Sequence, residues 1–226
     1  MTNFTEPTYI LELQQLIEKS NSIVIFTGAG ISTESGIPGF RGPKGVWKTQ
    51  TPIDYRDFIV SEEVRRESWR RKFSSELKLE NATANSGHYA ITTLVKTGKV
   101  TKVITQNVDG LHQKSGTKSE FVLELHGNAS YATCLSCAKR FELVEIKSVF
   151  LTEGIVPSCN DCGGIIKTAT ISFGQSMPAV EMQKAEAAAS NCDLFIVIGS
   201  SLVVYPAAGL PMLAKENGAR LVIINE

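Results

Sequence analysis

Two C-x-x-C pairs stand close together in this chain: Cys134 with Cys137, and Cys159 with Cys162, separated by residues 138–158. Four thiolates at such spacing suit one tetrahedral zinc ion, each pair folding into a tight knuckle. Two disulfides or four core cysteines are the alternatives. The neighbours Lys139, Arg140, Ser158, Asn160, Asp161, Gly163 and Gly164 are polar and turn-forming, a setting for knuckles rather than for a core. Four protein ligands leave no open position, so the metal is expected to be structural, one per chain. The remaining cysteine, Cys192, stands apart and is not expected to be a ligand.

A chain of 226 residues can bury one substantial core and still carry a small lobe. Lys plus Arg and Asp plus Glu both number 23, so the formal charge is zero, which argues against a broad nucleic-acid footprint. The first ten residues lack the basic stretch and apolar run of a secretory signal. The longest apolar runs, such as Leu194 to Ile198, are too short to cross a bilayer. Reduced cysteines without an export signal suit the cytoplasm. A monomer without nucleic-acid or membrane partners is expected.

The apolar pattern reads as an α/β fold with two interruptions. Helices are expected at residues 9–20, 58–78, 88–97 and 178–190, the first with Ile10, Leu11, Leu13, Leu16 and Ile17 as apolar positions. In the second, heavily charged helix, Val64, Trp69 and Phe73 are the expected inward residues. Strands are expected at 22–27, 100–105, 120–125, 194–198 and 220–224. Short apolar runs without alternation, separated by helical patterns, indicate a parallel sheet covered on both faces. The expected class is a doubly wound, Rossmann-like sheet with a small zinc-binding and helical lobe inserted. The main lobe takes about 1–40, 85–130 and 167–226, the helical insert about 41–84, and the zinc module about 131–166.

Four of these strands end in small or polar residues: Thr27-Gly28-Ala29-Gly30-Ile31-Ser32, Thr105-Gln106-Asn107-Val108-Asp109-Gly110, Gly199-Ser200-Ser201 and Asn225-Glu226. Open parallel sheets bind ligands at the carboxyl ends of their strands. The first turn lets a diphosphate approach backbone N–H groups closely. It is not the usual dinucleotide fingerprint, because Thr33 stands where a third glycine belongs and the acidic residue expected at the end of a second strand about 20 residues on is absent. The residues alone therefore indicate nucleotide binding of an irregular kind and disfavour ordinary hydride transfer.

Read together, the motifs resemble those of sirtuins, the NAD-dependent protein deacylases. The matching segments are G-A-G-I-S-T-E-S-G-I-P-G-F-R-G at 28–42, T-Q-N-V-D-G-L-H at 105–112 and L-E-L-H-G-N at 123–128. The cysteine pairs, I-S-F-G-Q at 171–175, G-S-S-L-V-V-Y-P-A at 199–207 and the terminal I-N-E follow in family order. The resemblance implies that NAD is consumed as a co-substrate. The acyl oxygen of an acyl-lysine attacks the ribose carbon, nicotinamide leaves, and the products are free lysine and an acyl-ADP-ribose.

The resemblance also assigns roles. Gly28, Ala29, Gly30, Ser32, Gly199, Ser200, Ser201 and Asn225 would hold NAD, with Phe40 and Arg41 on a cofactor loop. Gln106, Asn107 and Asp109 would line the nicotinamide end, where Asn plus Asp offer the donor and acceptor that an amide needs. Ile37 and Val108 would supply its apolar wall. His88 and His112 read as structural, packing or bonding locally. His126 emerges at a strand end, where the resemblance puts the catalytic base, and histidine suits proton transfer near neutral pH. Phe40, Phe173 and Val204 would wall the acyl-lysine tunnel. Segments 171–174, with Gly174, and 202–205 would clamp the substrate backbone as strands.

This chain departs from the family pattern in three places. Gly39 stands where the family has Asp, and Gln175 where it often has Glu. The chain stops at Glu226, where family members continue with an adenine loop, a further strand and a helix, so that part of the fold is expected to be missing. Members that remove succinyl groups carry a Tyr-x-x-Arg pair in the insert. Here residues 65–73 hold no such pair, which points to neutral acyl groups. The alternative function is mono-ADP-ribosyl transfer, or binding of an NAD derivative on the same scaffold.

Overall fold

The computed structural model describes residues 8–41, 45–74, 79 and 81–225. Its main sheet has five strands: β1 (Ile23–Thr27), β2 (Val100–Thr105), β3 (Val122–Glu124), β7 (Leu194–Ile198) and β8 (Arg220–Ile224). All pair in parallel, in the order β3-β2-β1-β7-β8. The central strand β1 is buried along its whole length, which explains its unbroken apolar run. Its residues part alternately to the two faces. Val24 and Phe26 join Phe195, Val197 and Leu123 beneath α7 (Ala179–Ser190) and α8 (Leu210–Glu216). Ile23 and Ile25 join Ile196, Val100 and Val103 beneath α1 (Thr8–Lys19) and α4 (Ser86–Lys96).

Helix α1 packs Leu13, Leu16 and Ile17, all partly buried, against the second of these cores, while Leu11 stays exposed. Lys99 closes its end by donating to the carbonyls of Ile17, Glu18 and Ser20 at 2.6–3.2 Å. The side chain of Asn85 caps α4 by accepting from the N–H groups of Gly87 and His88.

The expected single helix over 58–78 is two helices, α2 (Tyr55–Val60) and α3 (Glu62–Phe73). Ser61 divides them: its backbone is extended and its hydroxyl caps α3 by accepting from Val64 N. Asp54 caps α2 in the same way. Residues 75–78 lie outside the described residues. Glu62 and Glu63 open α3 and Arg70, Arg71 and Lys72 close it, the order that the helix dipole favours.

A second, antiparallel sheet carries β4 (Gly127–Cys134), β5 (Arg140–Glu142) and β6 (Ile166–Thr170), in the order β5-β4-β6. With α6 (Leu143–Glu153) it forms the lobe around the cysteines, extending past 131–166 on both sides. Trp69 of α3 is buried in its core with Ala132, Cys134, Ile146, Phe150, Cys159 and Ile166. The helical insert and the cysteine lobe thus share one core. Phe73 stacks on Trp69, with ring centres 5.5 Å apart, and Val64 is partly buried. Among the described residues no helix is long and apolar enough to cross a membrane.

Candidate active site

The chain leaves β1 in one direction, through β2 and β3, and in the other through β7 and β8, so a topological switch point falls between β1 and β7. The turns after these two strands interlock there. Gly30 N donates to Gly199 O at 2.8 Å and Gly28 N to Ile198 O at 3.0 Å. A Cβ on Gly28 would come within 2.7 Å of Gly199 O, and one on Gly199 within 2.3 Å of Ile31 N. These glycines are therefore demanded first by the contact of two protein turns, rather than by ligand approach. From Ala29 the chain enters a short 3-10 helix to Ser35.

The turn after β2 is fastened to the first one by side chains. Asn107 Nδ2 donates to Gly28 O and Ser32 Oγ, both at 3.1 Å. Ser32 Oγ donates to Asp109 Oδ2 at 2.8 Å, and Leu111 N donates to Asp109 Oδ1 at 3.0 Å. Ser200 Oγ donates to Gln106 Oε1 at 2.7 Å, tying in the turn after β7. Residues far apart in the sequence thus form one polar floor across three strand ends.

His126 joins this floor from the start of β4. Its Nδ1 lies 2.9 Å from the carbonyl of Gln106, so Nδ1 carries the proton and Nε2 keeps a lone pair. Burial pushes its pKa below the ordinary histidine value, against a smaller opposite effect from the Gln106 carbonyl. The neutral form of the ring is thereby favoured.

The expected tunnel walls Phe40 and Phe173 meet through Trp47, a residue that the sequence reading passed over. Its ring centre lies 5.3 Å from Phe40 and 5.2 Å from Phe173, and the Arg41 guanidinium sits over it at 4.2 Å. Nothing near Trp47 in sequence signals this pairing, which forms across the fold. Segments 171–174 and 202–205 are not strands. Phe173 makes a single bridge to Asp54, with Tyr55 N donating to its carbonyl at 2.9 Å, and Leu202 has a positive φ. The edge at Phe173 is thus partly taken by the start of α2. Ile37 is buried beside Leu111 and Ala82. Val108 and Val204 are half-buried, whereas Ser201 and Asn225 are exposed beyond β7 and β8. Gly42 and Glu226 lie outside the described residues.

The four cysteines come together as expected. Their sulfurs all lie within 4.8 Å of one another, with Cys134 and Cys162 at 3.5 Å and Cys137 and Cys159 at 3.7 Å. A disulfide needs about 2.05 Å, whereas four sulfurs about 2.3 Å from a shared zinc stand close to 3.8 Å apart. N–H groups of Cys137 and Ser136 hold the Cys134 thiol down to about 6. Gly164 N–H pulls Cys162 the same way, but the crowding sulfurs, Cys134 foremost, push it up to about 12. A dication relieves that crowding, so the set fits zinc. Cys192 is buried elsewhere, in the core beneath α7.

The Sir2 family model matches residues 28–206. The chain belongs to the Sir2 family. This Sir2 chain is 53% identical over 214 residues to an NAD-dependent protein deacetylase of Rhodopseudomonas palustris, covering 95% of itself and 85% of that protein. It is 42% identical over 218 residues to NAD-dependent protein deacylase 2 of Archaeoglobus fulgidus, covering 96% and 84%. A solved complex of Sir2 with a p53 peptide and NAD+ matches it with a TM-score of 0.85 at 37% identity, over 95% of this chain and 85% of the other. A Sir2 variant holding a deacetylated p53 peptide and 3′-O-acetyl ADP ribose matches with 0.86 at 36% identity, over 96% and 86%.

Two of the departures from the Sir2 pattern, Gly39 and Gln175, have modest local consequences. Among the described residues a Cβ on Gly39 would meet Arg41 O alone, at 3.6 Å, an ordinary contact. Gln175 Oε1 accepts from Ser172 N at 3.2 Å, a turn contact that needs no charge.

Two other histidines of this Sir2 chain are buried together, His88 and His112, with ring centres 5.0 Å apart. Burial, with a smaller push from His88, holds His112 down to about 3, and burial also lowers His88. His112 stays neutral in the fold and His88 protonates less readily there, whereas both protonate in the unfolded chain below about 6.5. Their contribution to stability is complete above that value and is lost as pH falls toward about 3. Glu124, raised by burial, acts with the opposite sign, so a variant isolates the histidine part. The urea midpoint is expected to fall between pH values of about 7.5 and 5, and His112→Gln to shrink that fall. An equal fall in His112→Gln would contradict this.

Proposed function

We propose that His126 is the general base of NAD-dependent protein-lysine deacylation in this chain, with residues 106–109 receiving the nicotinamide end of NAD. The protein removes acyl groups, acetyl foremost, from protein lysine and releases nicotinamide and O-acyl-ADP-ribose. Its relatives' activities support this over mono-ADP-ribosyl transfer or mere binding of an NAD derivative.

NAD, when bound, supplies the ribose carbon that the acyl oxygen attacks. The chain's own residues do the rest. Gly28, Ala29, Gly30, Ser32, Gly199, Ser200, Ser201 and Asn225 hold the dinucleotide through backbone and small polar groups, helped by the short helix that begins at Ala29. Asn107 and Asp109 meet the carboxamide, with Ile37 and Val108 as the apolar wall. His126 Nε2 takes a proton from a ribose hydroxyl, so that the hydroxyl can attack the activated acyl carbon. Phe40, Trp47, Phe173 and Val204 surround the acyl-lysine and exclude water, which would otherwise hydrolyse the activated sugar. Gly174 leaves the substrate backbone room beside Asp54. We read the whole as one catalytic domain with a helical insert at about 41–84 and a zinc module at about 131–166. It acts as a monomer in the cytoplasm, where thiolate ligands stay reduced, without nucleic acid or membrane.

The observation that carries the reading is the His126 Nδ1 to Gln106 O bond of 2.9 Å, which ties the ring to the turn that carries Asn107 and Asp109 and keeps the lone pair on Nε2. The test is NAD turnover with an acetyl-lysine peptide. Nicotinamide and O-acetyl-ADP-ribose should appear in equal amounts and only with the acyl-peptide. Nicotinamide release that needs no acyl group would favour the transferase reading.

Acyl preference follows from the same site. Glu67 engages both candidate arginines, Arg70 and Arg71, and Arg71 also donates to Thr51 O at 2.7 Å. Both guanidinium groups are thus already drawn to a carboxylate of the same helix, and an acyl carboxylate would have to compete with Glu67 for either. Turnover efficiency on one peptide should therefore rank acetyl above succinyl. The reverse order would mean that Arg70 or Arg71 leaves Glu67 for the substrate.

A further inference from the structure

The His112 ring does not bond locally. Its Nε2 lies 2.9 Å from the hydroxyl of Thr27, 85 residues away in sequence. Thr27 Oγ1 donates in turn to Thr105 Oγ1 at 2.8 Å, and the backbone N–H of Asn107 donates to the same oxygen at 3.0 Å. Thr27 and Thr105 are the last residues of β1 and β2 and stand directly opposite each other. All four residues are buried.

The direction of this chain follows from counting protons. Thr27 has a single hydroxyl proton and gives it to Thr105, so it can only accept from His112. The ring must then carry its proton on Nε2 and be neutral at Nδ1. Among the described residues no protein group bonds Nδ1, and the ring facing it is His88. The ring is fixed from behind. Leu111, which opens its helix α5 (Leu111–Lys114), is capped by Asp109, and the His112 carbonyl accepts from Ser115 Oγ at 2.7 Å and Thr117 N at 3.1 Å.

We propose that His112 is a positioning residue for the nicotinamide pocket: as a neutral Nε2–H donor it holds Thr27, and through Thr27 and Thr105 it sets the main chain of Asn107. The side chain of Asn107 is clamped separately by Gly28 O and Ser32 Oγ. The relay supplies the second constraint, on the backbone, and the two together leave the carboxamide contact one orientation. Loss of the Nε2 donor leaves the Thr27 and Thr105 hydroxyls free to turn. The strand ends then separate, and Asn107 shifts without losing its own side-chain partners. The effect belongs to the NAD end of the site, because none of the relay residues lies in the Phe40, Trp47 and Phe173 cluster.

The proposal rests on Asn107 meeting nicotinamide, and Asn107→Ala tests that reading alone. If NAD turnover survives Asn107→Ala, the reading itself fails. For the relay, His112→Leu should raise the KM for NAD and weaken nicotinamide inhibition about ten-fold, the scale of one buried hydrogen bond lost. The KM for the acyl-peptide should stay within about two-fold on the same scale. His112→Gln, whose amide can donate to Thr27, should recover most of the loss. Thr27→Val should reproduce the shift, and the double variant should go no further than either single one. A folded His112→Leu with wild-type KM for NAD, or additive shifts in the double variant, would overturn the relay. Should His112→Leu not fold, nitrogen NMR of the wild-type ring decides. A neutral ring with its proton on Nε2 at neutral pH is expected, and a proton on Nδ1 overturns the proposal.

Discussion

Replacing His126 with alanine is expected to leave NAD binding near wild type and to slow deacylation by more than ~100-fold, the usual scale for losing a general base. That factor is about 2.7 kcal/mol of barrier. The argument is local. Among the described residues the ring makes one bond, from Nδ1 to the Gln106 carbonyl, and it turns Nε2 into the acceptor. The NAD-side contacts among Gly28, Ser32, Asn107 and Asp109 do not pass through the imidazole, so alanine leaves them in place. Burial disfavours the imidazolium, so the acid limb of the rate profile should fall below the ordinary histidine value of 6.5. His126→Asn keeps a polar group without a usable base and should be as slow as alanine. Peptide deacylation at near wild-type rate in either variant would remove His126 from the mechanism.

How far the sequence reveals this molecule depends on the range of the forces involved. The strands at 100–105, 194–198 and 220–224 are legible to the residue, and β1 to within one: β1 and β7 are buried and apolar almost throughout, while β2 and β8 carry short runs of Val and Ile even though β8 is partly exposed. The cysteine cluster is legible because zinc ligation imposes a short spacing. The break at Ser61 is harder to see, since the charged run from Glu62 to Lys72 continues the helical pattern past a serine that could lie inside a helix or cap one. Helix α6 hides within the cysteine lobe because it buries only Ile146 and Phe150, one turn apart. Strands β4 to β6 mix small, polar and aromatic residues without alternation. The site divides in the same way. His126, Asn107 and Asp109 sit in recognisable turns, but Trp47 and the Thr27 relay acquire meaning only when distant segments meet. His112 illustrates the limit: its ring reads as a packed core histidine, and the hydroxyl that it meets stands at the end of β1, 85 residues away in sequence.

Removing one zinc ligand is the second large effect expected, and it should reach the active site without touching it. Structural zinc contributes about 10–16 kcal/mol of apparent binding free energy at neutral pH, far more than the few kcal/mol of a typical core truncation. Cys134→Ser replaces a buried thiolate that lies in one core with Trp69, Ile146, Phe150 and Ile166. That core joins the cysteine lobe to helix α3, and further bonds cross the same seam. Arg66 reaches Gly154 O, and Lys72 Nζ donates to Ala129 O at 2.7 Å. A loosened lobe therefore frees α3. It also loosens β4, which begins at Gly127 beside His126, and the bond of 2.8 Å from Ile171 N to His126 O. The expected variant holds much less than one zinc per chain, unfolds at lower denaturant, and shows Trp69 emission shifted to the red. Its deacylation falls in proportion to the fraction of intact lobe. The main sheet buries its own residues on both faces and should melt later, so chelation of the wild type should produce two transitions instead of one. Cys192→Ser, in a separate core, should keep full zinc. Stoichiometric zinc in Cys134→Ser, or an unchanged melt after complete chelation, would show that the four sulfurs do not form the site.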